Sequence, residues 1–290
     1  MSAPRLVVVH RHTELEELLA RHATLGAVEF FLASRGQALA PLQDVDRAQR
    51  RTLEEVVALT PSDWRNAVVE RSMLSRFLFE ADDLIVVVGQ DGLVANVAKY
   101  LDGQPVAGIN PSGRGPLCGH SLGTLRRVLE EPGPVEERHL VEAVLDDGQQ
   151  LRALNEVYIG DRGHQSSRYA LGVAGEWEEQ SSSGVIVGTG TGASGWLASL
   201  WLQNRPDFDL PGPTAEEFAY FVREPWPQGG RAASLVGGLR AAGERVELVS
   251  RGRLVVFGDG LESDFLRLEW GQRVTIGLSE TCLRLVAGQG

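Results

Sequence analysis

Asp91 stands between two glycines, in Gly89-Gln90-Asp91-Gly92, directly after the aliphatic run Leu84 to Val88. A carboxylate at the carboxyl end of a strand meets a turn whose glycines let backbone N–H groups crowd an anion. The combination puts a carboxylate where phosphate oxygens would otherwise repel it, which suggests a base or a group linked to a metal. The same aspartate could instead accept backbone N–H bonds as a turn or cap residue. Two further segments share the glycine pattern, Gly108-Ile-Asn110-Pro-Ser-Gly113 and Gly188-Thr189-Gly190-Thr191-Gly192-Ala-Ser194-Gly195, the latter running into Trp196-Leu-Ala-Ser-Leu. A helix that starts just after such a turn adds aligned N–H groups and a positive dipole end, so the first and third segments are credible phosphate cradles. Tight strand-to-helix turns would use the same glycines.

The basic residues narrow the chemistry. Lys99 is the only lysine among 28 basic residues, so a Walker A loop is excluded and phosphate charge must be met by arginine, backbone amides or metal. Arg114, Arg168 and Arg223 are candidates for bidentate phosphate contacts, whereas Lys99 reads as a helix-end charge. The six histidines (His10, His12, His22, His120, His139, His164) form no HExxH or comparable zinc pattern. Trp177, Trp226 and Trp270 could stack a base, and Cys118 and Cys282 read as inert buried thiols in a reducing compartment.

These residues need elements to position them. Leu6 to Val9 reads as a buried strand, followed by a capping box of Thr13 and Glu16 before Leu15, Leu18 and Leu19 on one helix face. Leu53, Val56 and Val57 repeat that spacing, and so do Leu74, Phe77 and Leu78. The run Leu84 to Val88 leads through the glycine turn into Val94, Val97, Ala98 and Leu101, which is strand, turn, helix. A second strand, Pro105 to Ile109, ends in the loop beginning at Asn110, and a helix is expected around Leu122 to Leu129. Ligands in open α/β sheets bind beyond the carboxyl ends of strands, so the two loop ends are expected to face one cleft. After about residue 135 the period changes to two: Leu266, Leu268 and Trp270 alternate with polar residues, as do Val274, Ile276 and Leu278. The stretches 203–214 and 224–244, rich in proline, glycine and small residues, read as loops. The expected organisation is an α/β domain over 1–135 and a β-rich domain over 136–290, whose last element may return to the first domain.

The ordered motifs resemble those of the NAD kinase family. Gly89-Gln-Asp-Gly-Leu93 is similar to that family's GGDGT signature, and Gly108-Ile-Asn110 to its next glycine-rich segment. Asn155-Glu156 resembles its NE motif, Thr189 to Trp196 its TPTGSTAY segment, and Gly258-Asp-Gly260 its late DG turn. Ser167-Arg-Tyr169, Gln180 to Gly184 and Arg223-Glu-Pro225 are most similar to the divergent mitochondrial-type branch. The resemblance implies an N-terminal Rossmann-like α/β domain and a C-terminal β-rich domain, with the active site in the cleft between them. It implies transfer of the ATP γ-phosphoryl, with Mg²⁺, to the 2′-hydroxyl of the adenosine ribose of NAD(H), in a dimer or tetramer. By that analogy Asp91 is catalytic. Gly89, Gln90, Gly92, Leu93, Asn110, Asn155, Glu156, Arg168, Ser183, Thr189, Gly190, Thr191, Gly192, Ser194 and Trp196 would bind nucleotide, and no metal ligand is assigned. Gln90 and Leu93 depart from the signature, which leaves open another hydroxyl acceptor (nucleoside, sugar, polyol or lipid) or a non-catalytic dinucleotide-binding protein.

Composition agrees with an enzyme acting on small molecules. A chain of 290 residues with 43% apolar residues carries a full core, and a formal charge of −11 without a basic cluster argues against nucleic acid and anionic membranes as partners. The longest aliphatic run is far below the roughly 18 residues of a membrane span, and no leader is apparent, which places the expected site of action in the cytoplasm.

Overall fold

The aliphatic runs of the first hundred residues become strands buried on both faces. In the computed structural model, which describes residues 3–131, 133–163, 165–227 and 230–288, the chain divides into two units, Met1–Glu136 with Arg284–Gly290, and Glu137–Leu283. His164 lies outside the described residues.

In the first unit the order is β1 (Arg5–His10), α1 (Glu14–His22), α2 (Leu25–Ala33), α3 (Ala40–Ala58), β2 (Arg65–Glu70), β3 (Asp83–Val88), α4 (Asp91–Ala98), β4 (Pro105–Ile109) and α5 (Leu122–Glu130). The strands are parallel in the order β2-β1-β3-β4, and Arg284 and Leu285 from the chain's end lie parallel beside β4. Leu6, Val8, Val86 and Val88 meet Val56 of α3 and Leu125 and Val128 of α5, while the alternate residues Val7, Val9, Ile85 and Val87 are fully buried on the other face. A parallel sheet covered on both sides needs such unbroken apolar strands.

The capping box at α1 forms as its sequence requires: Thr13 Oγ1 accepts from the Glu16 amide at 3.2 Å and Glu16 Oε2 from the Thr13 amide at 2.9 Å. Thr13 also donates to buried Asp46 of α3 at 2.7 Å, and Arg50 of α3, which donates to the same carboxylate at 2.9 Å, reaches Glu16 of α1 at 3.0 Å, so that the two helices are tied together.

Two features of this unit depart from the sequence reading. Helix α2 and strand β2 are additional elements. The spacing of Leu74, Phe77 and Leu78 does not make an α-helix: a 3-10 helix over Arg71–Arg76 stops before Phe77, and Leu78 is exposed. The cause is polar. Arg5 grips the buried Asp83 carboxylate through Nε at 2.8 Å and Nη2 at 2.7 Å, and Nη2 also donates to the Leu78 carbonyl, holding the segment extended while the guanidinium covers the Phe77 ring.

The second unit is mostly β: β5 (Val135–Leu145), β6 (Gln150–Ala153), β7 (Glu156–Gly160), β8 (Ser167–Val173), β9 (Glu176–Ser182), β10 (Val185–Thr189), α6 (Trp196–Asn204), β11 (Glu217–Val222), β12 (Gly237–Ala241), β13 (Val246–Ser250), β14 (Leu254–Gly258), β15 (Phe265–Leu268) and β16 (Arg273–Val286). One antiparallel sheet has the order β12-β11-β10-β7-β14-β15. Strands β16, β13, β8 and β9 form a second antiparallel array, with β5 pairing β16 and β6. Alternation decides the packing: Val157, Ile159, Val185 and Val187 face Tyr169, Leu171, Val246 and Ile276, whereas Tyr158, Ile186 and Phe221 face Leu197 and Leu200 of α6.

Two corrections apply here as well. The stretch 224–244 is not all loop, because its end forms β12, an edge strand whose Gly-Gly start carries no apolar signal. Trp270 does not continue the alternation; β15 ends at Leu268 and the side chain is exposed in a turn in which Gly271 adopts φ +83°. Among the described residues no helix is long and apolar enough to cross a membrane.

Candidate active site

In the first unit, β3 ends at Val88 and α4 begins at Asp91, with Gln90 in extended geometry as the N-cap. The Asp91 side chain turns toward the loop after β4, where Oδ1 accepts from the Leu117 amide at 3.2 Å. The strand ends meet as their order requires. Gly89 and Gln90, the loop residues Asn110 and Ser112, and Arg11 and His12 after β1 line one cavity of about 330 Å³. Asn110 closes its own loop by accepting from the Ser112 amide at 2.9 Å, an Asx turn. Gly92 is exposed at the start of α4.

Leu93 lies beneath the loop. Its side chain is buried, a Cβ on Gly89 would stand 3.0 Å from its Cδ2, and its amide donates to the Gln90 carbonyl at 2.8 Å. A leucine in place of the signature's threonine has therefore become part of the core beneath the loop.

Three motifs of the second unit are stitched into one knot. Asp259, at φ +52°, accepts from the amides of Leu154 at 2.8 Å and Asn155 at 2.7 Å. Thr189 donates its hydroxyl to the Leu154 carbonyl at 2.5 Å and its amide to the Asn155 carbonyl at 2.9 Å, and the Thr191 amide returns to the Thr189 hydroxyl at 3.1 Å. Asn155, Glu156, Thr189, Thr191 and Gly192 are thereby brought together, although they are far apart in the chain. Glu156 begins β7, and its pKa is pushed up to about 7 by burial first and then by the Asp259 charge. A group tuned near neutrality in a motif knot is a functional-site signal.

The close approach at Gly190 can be tested directly. A Cβ there would lie 1.7 Å from the Gly212 carbonyl oxygen, so the backbone has to move to admit one. Gly190→Ala is expected to lower stability by about 2 kcal/mol in denaturant unfolding; an unchanged midpoint would contradict the packing described.

Trp196, the first residue of α6, lines a second cavity, of about 170 Å³, together with Tyr158, Arg162, Arg223, Phe257 and Phe265. Trp196 stacks on Tyr158 with centroids 6.0 Å apart and 10° between planes, and the Arg223 guanidinium lies 5.2 Å from the Trp196 ring centre. The Tyr158 hydroxyl donates to the Ser183 carbonyl at 3.2 Å, which places Ser183 beside this aromatic group. Ser194 is exposed in the 3-10 turn Gly192–Ser194. Arg168 is exposed on β8, and neither it nor Arg114 lines either of these cavities. Trp177, Trp226 and Trp270 are exposed and lie outside both.

The Leu117 amide carries no side-chain signature in the sequence, and Asp259 is marked there only as part of a turn, not as the carboxylate that binds two amides. Among the described residues no three His, Cys, Asp or Glu side chains gather as a metal-binding group.

No protein-family profile matches the chain. It is 28% identical over 258 residues to the mitochondrial NAD kinase 2 of Rattus norvegicus, with 68% of this chain and 60% of that protein covered. The corresponding human protein gives the same identity, with 58% of it covered. The chain thus spans about three fifths of the length of these curated relatives. An NAD kinase of Methanocorpusculum labreanum is 32% identical over 123 residues, covering 40% of this chain and 45% of that protein. Among solved structures, the fold is similar to an NAD kinase from Archaeoglobus fulgidus in complex with ATP (TM-score 0.60, 20% identity, 98% of this chain and 94% of that one). It is also similar to yeast NADH kinase complexed with NADH (TM-score 0.63, 13% identity, 100% and 85% covered). The fold is that of the NAD kinases, and in sequence the chain is similar to the mitochondrial type.

Proposed function

We propose that this protein is an NAD kinase-type phosphotransferase that moves the γ-phosphoryl of ATP to the 2′-hydroxyl of the adenosine ribose of NAD(H), yielding NADP(H) and ADP. The observation that carries the reading is Asp91: a carboxylate seated at the N-terminus of α4 in a glycine turn, at the end of a parallel strand. Phosphoryl transfer asks mainly for positioning and charge neutralisation, which glycine-turn amides and helix dipoles supply without lysine.

In this reading Asp91 accepts the proton of the ribose hydroxyl as its oxygen bonds to the γ-phosphorus and the bond to the ADP oxygen breaks. Gly89, Gln90, Gly92 and Asn110 bind phosphate and ribose oxygens. Asn155, Glu156, Thr189, Thr191 and Gly192 hold the dinucleotide, with Ser183, Ser194 and Trp196 at its edge. Asp259 acts through the amides it fixes. Mg²⁺ would arrive with the nucleotide and would neutralise its phosphate charge. Dimeric or tetrameric assembly and a cytoplasmic site of action belong to the same proposal.

The test is ADP release from Mg²⁺-ATP by the purified protein, run against NAD, NADH, nucleosides and sugars. Release stimulated by NAD or NADH, with NADP(H) as product, is the expected result. Stimulation only by another hydroxyl compound would transfer the mechanism to a different acceptor, and binding of dinucleotide without turnover under any donor would reduce the protein to a binding module.

A further inference from the structure

We propose that the turn Gly115–Cys118 is the positioning element of Asp91: the Leu117 amide anchors the carboxylate and the bare Cα of Gly115 makes room for it. For turnover this inference rests on the phosphotransfer reading above.

Four observations support it. The Leu117 amide donates to Asp91 Oδ1 at 3.2 Å. A methyl group on Gly115 would lie 2.3 Å from Oδ1, 2.4 Å from Oδ2 and 2.6 Å from Cγ of Asp91, so the carboxylate occupies the volume that any side chain at 115 would fill. The turn is rigid, because Gly115 and Cys118 exchange backbone hydrogen bonds of 3.3 and 3.2 Å. It is also pinned to β4: Gly119 bridges Ile109, the His120 amide donates to the Gly108 carbonyl at 3.0 Å, and a methyl group on Gly108 would collide with the Leu117 carbonyl at 2.2 Å. The carboxylate at the end of one strand is thus held by the loop that follows the next.

Cys118 has no accessible surface, and burial, followed by the charge of Asp91 and a hydrogen bond with it, pushes its thiol pKa well up. The group therefore stays an S–H, unfit as a nucleophile or redox centre. The Asp91 side chain accordingly takes one direction out of several rotamers, which a proton acceptor needs if it is to meet a hydroxyl in line with a phosphate.

The experiment uses full-length protein labelled with ¹³C at aspartate carboxyls, with the Asp91 signal identified by its loss in Asp91→Asn. In Gly115→Ala the Asp91 resonance is expected to move, because the added methyl group displaces the carboxylate from the Leu117 amide. The same variant is expected to lose about 10²-fold in kcat, with KM values within twofold. Hydrogen exchange at the Leu117 amide is expected to be slow in the parent and faster in Asp91→Ala, which decides the matter if Gly115→Ala does not fold. An Asp91 resonance unmoved in Gly115→Ala, or Leu117 exchange unchanged in Asp91→Ala, overturns the proposal. Absence of turnover in the parent protein would sink the phosphotransfer reading alone, since the carboxyl resonance is read without substrate.

Discussion

Asp91→Asn is expected to lower turnover by about 10²–10⁴-fold while leaving the fold and nucleotide affinity intact. Asparagine keeps the volume of the side chain, and its carbonyl oxygen can still accept from the Leu117 amide at the position Asp91 Oδ1 now occupies, 3.2 Å away. What it loses is the capacity to take a proton. Asparagine also remains compatible with a first-turn helix position, so unfolding midpoints should agree within about 0.5 kcal/mol. Rate and stability measured on the same preparation separate the two effects. Retention of more than a tenth of the parent turnover would remove Asp91 from the role of proton acceptor and leave it a turn residue.

The second large effect is one of pH and stability at Glu156. Its folded pKa is raised from the ordinary 4.5 to about 7 by burial and then by the neighbouring Asp259 charge. The folded state therefore binds this proton more tightly than the unfolded chain does, and stability falls as pH rises from about 4.5 to about 7. Below that window both states are protonated and nothing is lost; above it both are ionised and the full cost is present. Glu156→Gln, neutral throughout, should match the parent near pH 4 and exceed it by up to about 3 kcal/mol at pH 8. The same variant is expected to bind dinucleotide roughly 10–100-fold more weakly, since a hydrogen bond to a charged group is lost. Chemical unfolding at pH 4, 6 and 8 with and without NAD reads both effects. A variant less stable than the parent at pH 8 would contradict the assigned burial.

The two effects belong to one design. Glu156 begins a strand whose next residues face alternately into the sheet-to-sheet core and onto α6, so its carboxylate is carried into a poorly solvated place by the packing of Val157 and Tyr158. A residue that weakens the fold above neutral pH is in keeping with a binding role, because sites that hold ligands are where proteins tolerate such costs.

Much of this was legible in the chain. The period-two and helical patterns separated an α/β first part from a β-rich remainder, and the run Leu84 to Val88 followed by Gly-Gln-Asp-Gly located β3, the turn and α4. Thr13 and Glu16 announced the start of α1 through a local hydrogen-bond pair that needs only three residues' separation. Signals of this kind survive in sequence because their physics is local. The failures were at places governed by distant partners: the Leu74 to Leu78 spacing lost its helix to Arg5 and Asp83, and the glycine-led β12 acquired its strand character only from pairing with β11.

For the site, the glycine turn around Asp91 suggests in sequence a base or a metal-linked group, and the motif resemblance adds Asn155 and Glu156 as expected binding residues. Tertiary structure alone decided that Leu93 belongs to the core, that Asp259 acts by binding the amides of Leu154 and Asn155, and that Asp91 is gripped by a backbone amide 26 residues away. The reason is physical. A backbone N–H is the same in every residue but proline, so which one a carboxylate finds, and whether burial shifts its proton affinity, depends on strand register and packing rather than on the letters of the sequence.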